Sequence, residues 1–195
     1  MSLQDRIRHC LQNDVLDLFQ CQGDLFVQVP RDRIVQCLEK LRDEPGLEFD
    51  FLVDVVGVDN SALHEKEIKA REKALAKEKE KAEESGETGV ENEPGVLEVP
   101  PRFDVIYLLL SLKSNERLAV KVKVPEEDPE VDTVTTIWRA ADWPEREIFD
   151  FLGIRFRGHH NLKRLMMWEG FGSYPLRKDY PLQGKGEERH LDYDE

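Results

Sequence analysis

Apolar residues recur along the chain in two rhythms, and each change of rhythm marks a new element. Ile7, Cys10 and Leu11 stand at helical spacing before Asn13 and Asp14 break the pattern, which predicts a short N-terminal helix. Val15–Phe19 and Leu25–Val29 read as strands around Gln22-Gly23, where the glycine accepts the positive φ of a hairpin turn. Pro30 then opens a helix in its first turn, with Ile34, Val35, Leu38 and Leu41 as its stripe and Pro45-Gly46 as its stop. From Glu48 to Val58 the period drops to two. Phe49, Phe51, Val53 and Val55 point one way, and Asp50, Leu52, Asp54 and Val56 the other, as in a sheet covered on one face. Phe103–Leu112 is more uniformly apolar and predicts a central strand. Ser114-Asn115 turns it into a last strand, where Leu118, Val120, Val122 and Val124 alternate with Ala119, Lys121 and Lys123.

After Val124 the rhythm returns to helical. Pro125 to Asp128 is a turn, and Pro129 begins a helix with Val134, Ile137 and Trp138 on its buried side. A second helix starts near Asp142, with Asp142 and Glu145 as a capping-box-like pair and Pro144 in the first turn. Ile148, Phe149 and Leu152 form its apolar side, and Gly153 stops it. From Ile154 onward no periodic element is visible, although Phe156, Leu162, Leu165, Trp168, Phe171, Tyr174 and Leu176 all need burial. The expected fold is α+β: a small mixed or antiparallel sheet with helices on one face, followed by an extended, irregular C-terminal segment. Residues 1–60 and 103–152 make the domain, 61–102 an insertion, and 153–195 a segment that completes its burial on a partner chain.

Composition explains the insertion. Of 195 residues, 39% are apolar and 35% are charged, well above the ~25% charged of an ordinary domain. Residues 64 to 93 alone hold seven Lys or Arg and ten Glu. Glu65–Lys69 and Glu67–Arg71 are helix-supporting pairs, but the seven-residue row Ile68, Leu75, Ala82 lacks a second apolar row, so no coiled coil is expected. The insertion reads as charged and partly helical or disordered. Net charge of -13 argues against nucleic acid as a partner. No apolar run reaches the ~18 residues of a membrane span, and Met1–Arg6 lacks the features of a signal peptide. Cys10, Cys21 and Cys37 fit buried thiols in a reducing compartment.

Motifs that carry chemistry are few. There is no phosphate loop, no Gly-x-Ser-x-Gly and no Cys-x-x-Cys, so cysteine-held iron–sulfur or nickel–iron centres are not expected. Glu147, Asp150 and His159 could supply a metal-dependent enzyme. The alternative is that carboxylates in the first helical turn complement the dipole while Arg146 pairs with Asp150. Residues 145–178 carry seven positive and four negative side chains, a basic, aromatic-rich stretch in an acidic chain. Its candidate partners are RNA, an anionic surface or an acidic protein, with protein first because arginine suits desolvated interface pairs.

The run Glu145-Arg146-Glu147-Ile148-Phe149-Asp150-Phe151-Leu152-Gly153, continuing to His159 and then Leu162-Lys163-Arg164-Leu165-Met166, closely resembles the signature of the C-type subunit of respiratory complex I. The later Pro175-Leu176-Arg177-Lys178-Asp179-Tyr180-Pro181 is similar to that family's closing motif. The strong match covers about 138 to 184; His160 stands where the family usually has proline, and the insertion lies outside its usual pattern. The resemblance implies a non-catalytic scaffold subunit in the peripheral arm of a proton-pumping NADH:quinone oxidoreductase, a translocase. Such a subunit braces the larger D-type subunit, which bears the quinone site, and neighbouring iron–sulfur subunits at the cytoplasmic face of the bacterial inner membrane. FMN, iron–sulfur clusters and quinone are expected in other subunits, none in this chain, and no catalytic residue is expected here. Glu145, Arg146, Glu147, Asp150, His159, Arg164, Arg177, Lys178 and Asp179 are the expected interface or framework residues. An equivalent subunit of an energy-converting membrane hydrogenase is the alternative within the same resemblance.

Overall fold

The structure is a computed structural model that describes residues 2–63, 65–66 and 101–187. The expectations for the body of the charged insertion and for the last eight residues lie outside these described residues.

Helix α1 (Leu3–Leu11) begins at Ser2, whose hydroxyl accepts from the Asp5 N–H while the Asp5 carboxylate accepts from the Ser2 N–H. Strands β1 (Asp17–Cys21) and β2 (Asp24–Gln28) form the expected hairpin. Gln22 and Gly23 both take positive φ (52° and 99°), the two-residue turn that matches strand twist. Helix α2 (Ile34–Asp43) buries Ile34, Leu38 and Leu41 against Ile7 and Leu11 of α1 and the sheet. Pro30 precedes a single 3-10 turn, Arg31–Arg33, so the helix starts one turn later than its proline suggests.

Strands β3 (Phe51–Asp59), β4 (Phe103–Leu110) and β5 (Arg117–Val124) complete a five-stranded sheet in the order β1-β2-β5-β4-β3. β2 and β5 run parallel and every other pair is antiparallel, so the sheet is mixed. Val55, Tyr107 and Val120 stand side by side across β3, β4 and β5 and are buried, together with the apolar sides of α1 and α2. The opposite face carries Phe51 and Val56, both exposed. The helices therefore lie on one face, as the pattern of β5 implies.

Strict alternation fails in β3. A bulge between Leu52 and Asp54 inserts Val53 as an extra residue. It reverses the facing of everything before it, so Phe51 and Val53 are exposed while Leu52 and Val55 are buried. Phe49, assigned to the same face as Phe51, lies before the strand and is wholly buried.

The helix expected from Pro129 is a strand. β6 (Glu130–Asp132) pairs in parallel with β7 (Arg155–Arg157), burying Val131 against Phe156. The helical spacing of Val134, Ile137 and Trp138 comes from one isolated turn, in which Ile137 and Trp138 donate to the Val134 carbonyl. β7 was invisible in the sequence because three residues are too few to show a period. Helix α3 (Asp142–Leu152) then packs across the core side of β3. The contact needs Gly57: a Cβ there would lie 2.6 Å from Leu152 Cδ1.

Cys37 is buried and Cys10 partly buried, and burial pushes both thiols up to about 11. Cys21, expected to be buried, is exposed on the hairpin.

Candidate functional site

The expected interface or framework residues gather around α3, which the local sequence builds well. Ile148 and Leu152 turn inward to the sheet, and Gly153 at φ 78° ends the helix in the left-handed conformation, its N–H bonding the Phe149 carbonyl. A side chain at position 153 would also strike the Tyr174 ring at 2.6 Å. The irregular segment after β7 folds back onto this helix end.

Asp150 is the centre of that fold-back. Its side chain is wholly buried. Oδ2 accepts three successive backbone N–H groups, from Leu165 (2.9 Å), Met166 (2.7 Å) and Met167 (3.0 Å). Oδ1 accepts from Arg164 Nη1 at 2.8 Å. Burial alone would raise the Asp150 carboxyl, but the Met167 and Met166 N–H groups and the Arg164 guanidinium reverse this and hold it below the usual carboxylate range. Arg164 also donates to the Asp150 and Ser173 carbonyls and lies over the Phe171 and Tyr174 rings. A nest of N–H groups closed by a guanidinium is an anion site, and its anion is the chain's own side chain.

A second carboxylate anchors the segment further on. Asp59 ends β3 with its side chain 1% exposed and binds Arg102 Nη2 at 2.7 Å, across the two ends of the insertion. Its Oδ2 also accepts the Lys178 N–H at 2.9 Å. Arg102 reaches Glu126 at 2.5 Å and pairs with Asp179 as well. These bonds, against burial, hold the Asp59 carboxyl far below its ordinary value and the Arg102 guanidinium above its own. Between the anchors, Arg177 Nε donates to the Leu152 carbonyl at 2.7 Å and the guanidinium stacks on Phe103 and Tyr174. Arg164 and Arg177 thus bond within the chain.

The other expected residues have different surroundings. Glu145 does not cap its helix. It is buried, accepting from Thr133 Oγ1 (2.5 Å) and the Val134 N–H (2.8 Å), and so ties α3 to the strand end after β6. Burial pushes its carboxyl up to about 7, the two hydrogen bonds opposing. Because the folded chain then holds a proton that the unfolded chain releases near pH 4.5, stability falls as pH rises across that window and is level above it. Glu145→Gln removes the charge, its carbonyl oxygen accepting the Val134 N–H and its NH₂ donating to Thr133 Oγ1 in reverse of the present bond. Thermal melts should show it flattening this slope and stabilising the chain at pH 8 by about 3 kcal/mol. Equal slopes for both proteins would refute the assignment.

The Arg146–Asp150 pair does not form, because Asp150 is filled by the tail; Arg146 Nε donates to the Lys163 carbonyl instead. Nor do Glu147, Asp150 and His159 converge as a metal site. Glu147 is exposed, Asp150 is enclosed, and the His159 ring is buried beside Asp142, Nε2 lying 3.2 Å from Oδ1. Among the described residues, Asp142, His159 and His160 do cluster within 4.8 Å. His159 Nδ1, however, accepts the Asn161 N–H at 3.0 Å. In neutral imidazole that places the proton on Nε2, facing the Asp142 and Glu145 oxygens, which leaves no lone pair for a cation.

The signature segment is thus clasped to its own domain through buried carboxylates. The family described as "Respiratory-chain NADH dehydrogenase, 30 Kd subunit" matches residues 27–186. The chain belongs to this family. It is 40% identical over 170 residues, 87% of this chain and 73% of the relative, to a C-type subunit, the form numbered 2, of the NADH-quinone oxidoreductase of Rhizobium meliloti. It is also 40% identical, over 97% of this chain and 83% of the relative, to the C-type subunit of the NADH-quinone oxidoreductase of Hydrogenovibrio crunogenus. Among solved structures, the trypsin-resistant fragment of Nqo5 is similar with TM-score 0.53 and 28% identity, over 83% of this chain and all of that one. A chain of an archaeal membrane-bound sulfane sulfur reductase shares the fold, with TM-score 0.62 at 17% identity over 98% of this chain and 95% of that one. Membership of the family places the chain in an NADH-quinone oxidoreductase, and no described helix is long and apolar enough to cross a membrane.

Two residues of the clasp escaped the sequence reading, Asp59 and Arg102. A signal existed: opposite charges close the two ends of one β-hairpin once the insertion is set aside, with Asp59 paired to Phe103 in register.

Proposed function

We propose that this chain is a non-catalytic scaffold subunit of the peripheral arm, bracing the D-type subunit that bears the quinone site and neighbouring iron–sulfur subunits at the cytoplasmic face of the membrane. FMN, iron–sulfur clusters and quinone in those neighbours carry the electrons. The observation that supports this most is the division of labour in residues 164–182. Buried carboxylates hold the backbone of this segment to the domain, while Met166, Leu176 and Leu182 turn outward, exposed at 70%, 58% and 107%. Trp143 on α3 is exposed at 67%. Large apolar side chains fixed on a rigid support bind with little loss of conformational freedom, which is what a brace requires.

The test is assembly of the native complex with Met166→Asp and Leu182→Asp. Each should leave the melting temperature of the isolated chain unchanged, since neither side chain is packed, and should reduce the recovered intact peripheral arm severalfold. A fully assembled complex that has lost turnover would contradict the brace and point to a direct part in electron transfer.

A further inference from the structure

β3 is an outermost strand of the sheet. In an antiparallel ladder every second residue aims its N–H and C=O away from its neighbour. Along Asp54–Val58 these outward groups have no strand partner among the described residues. Nine-residue edge strands are normally blunted or covered, because they template pairing with other chains.

Here the edge borders a groove of about 250 Å³. Asp54, Val55, Val56 and Gly57 line one side. Val55 and Val56 point to opposite faces of the sheet, so the groove follows the strand edge and not a face. On the other side stand Ile148 and Phe151 of α3, with Leu176 of the clasp. Apart from Glu147 the wall is apolar, and the edge is polar, the combination that receives an extended chain: backbone bonds along one side, alternate side chains into the other.

Charge decides the occupant. Asp54 and Glu147 both line the groove, and neither forms an ion pair among the described residues. Among the described residues the Asp54 carboxylate accepts its neighbour's N–H, from Val55 at 2.8 Å. Two like charges at one groove repel an acidic segment. They equally disfavour a second copy of this chain, since symmetric pairing of two β3 edges would oppose carboxylate to carboxylate.

We propose that an extended apolar segment of a neighbouring subunit, carrying a lysine or arginine, adds to the outer edge of β3 as a sixth strand. Its basic side chain faces Asp54 and Glu147, and its apolar side chains enter the groove against Ile148 and Phe151. Asp54 thereby guards the edge in the free chain and becomes a contact in the complex. This inference rests on the scaffold reading and names the chemistry of one of its partners.

The test titrates the full-length, isotope-labelled chain with overlapping peptides of about twelve residues, about twice a typical strand, covering the hydrophilic subunits of the same complex. One lysine- or arginine-bearing peptide should slow hydrogen exchange of the outward amides in Asp54–Val58. Its affinity should fall about tenfold or more in the double variant Asp54→Lys, Glu147→Lys, and return when the peptide's basic residue becomes glutamate. Both positions are exposed, and an unchanged melting temperature verifies the fold of the variant. The proposal is overturned if no peptide protects those amides, if protection is indifferent to the charge reversal, or if sedimentation shows the chain pairing with itself through this edge. In each of those cases the scaffold reading stands or falls separately, on the Met166→Asp and Leu182→Asp assembly experiment.

Discussion

Asp150→Asn should lower the stability of the chain by about 3–5 kcal/mol and release residues 164–177 from the domain. The carboxylate serves four donors at once, the N–H groups of Leu165, Met166 and Met167 and the Arg164 guanidinium. An amide has one acceptor oxygen, and its NH₂ would be set against donors already in place. Arg164, 14% exposed, would keep its charge in a nearly dry site without its counterion. Urea denaturation measures the loss. Limited proteolysis locates it, with new cuts between 164 and 177 while the sheet stays resistant. An unchanged denaturation midpoint would mean that the segment is held by its aromatic contacts alone.

Asp59→Ala should cost a similar amount, about 3–5 kcal/mol, and its effect should be visible at two distant places. Removing this carboxylate leaves Arg102 nearly buried and frees the Lys178 N–H, so the base of the insertion and the end of the clasp loosen together. Hydrogen exchange should rise at both Ser61 and Lys178, because both N–H groups end on Asp59. The folded values of Asp59 and Asp150 are depressed, so their stabilisation is full above the ordinary carboxylate value of 3.8 and is lost as pH falls below it. The variant should show a shallower acid limb than the parent, while Glu145 continues to impose its opposite slope between about 4.5 and 7. If exchange rises at only one of the two sites, Asp59 does not couple them.

The readings that failed share one cause. Pro129 and the spacing of Val134, Ile137 and Trp138 suggested a helix where β6 and one turn stand, because a single turn and a helix have the same local period. Val53 broke the alternation of β3 because a bulge adds a residue without changing its chemistry. Glu145 looked like a cap and Arg146 like the partner of Asp150, since both inferences use neighbours within one helix; the true partners come from Thr133 and from the chain after β7. The signature is legible for a different reason. It uses the order of residues directly and needs no geometry.

What the sequence determined by itself was therefore local: the hairpin at Gln22-Gly23, the stripe of α2, the alternation of β5, the stop at Gly153, and the family to which residues 27–186 belong. The elements depend on spacing within a few residues, which periodicity and turn chemistry report, and the family on residue order. The tertiary structure decided which carboxylates are buried and what they hold. Asp150 binds partners 14 to 17 residues away, and Asp59 binds partners 43 and 119 residues away. A buried charge takes whichever donors the fold brings to it, so a segment without any repeating pattern became an ionic clasp on the domain.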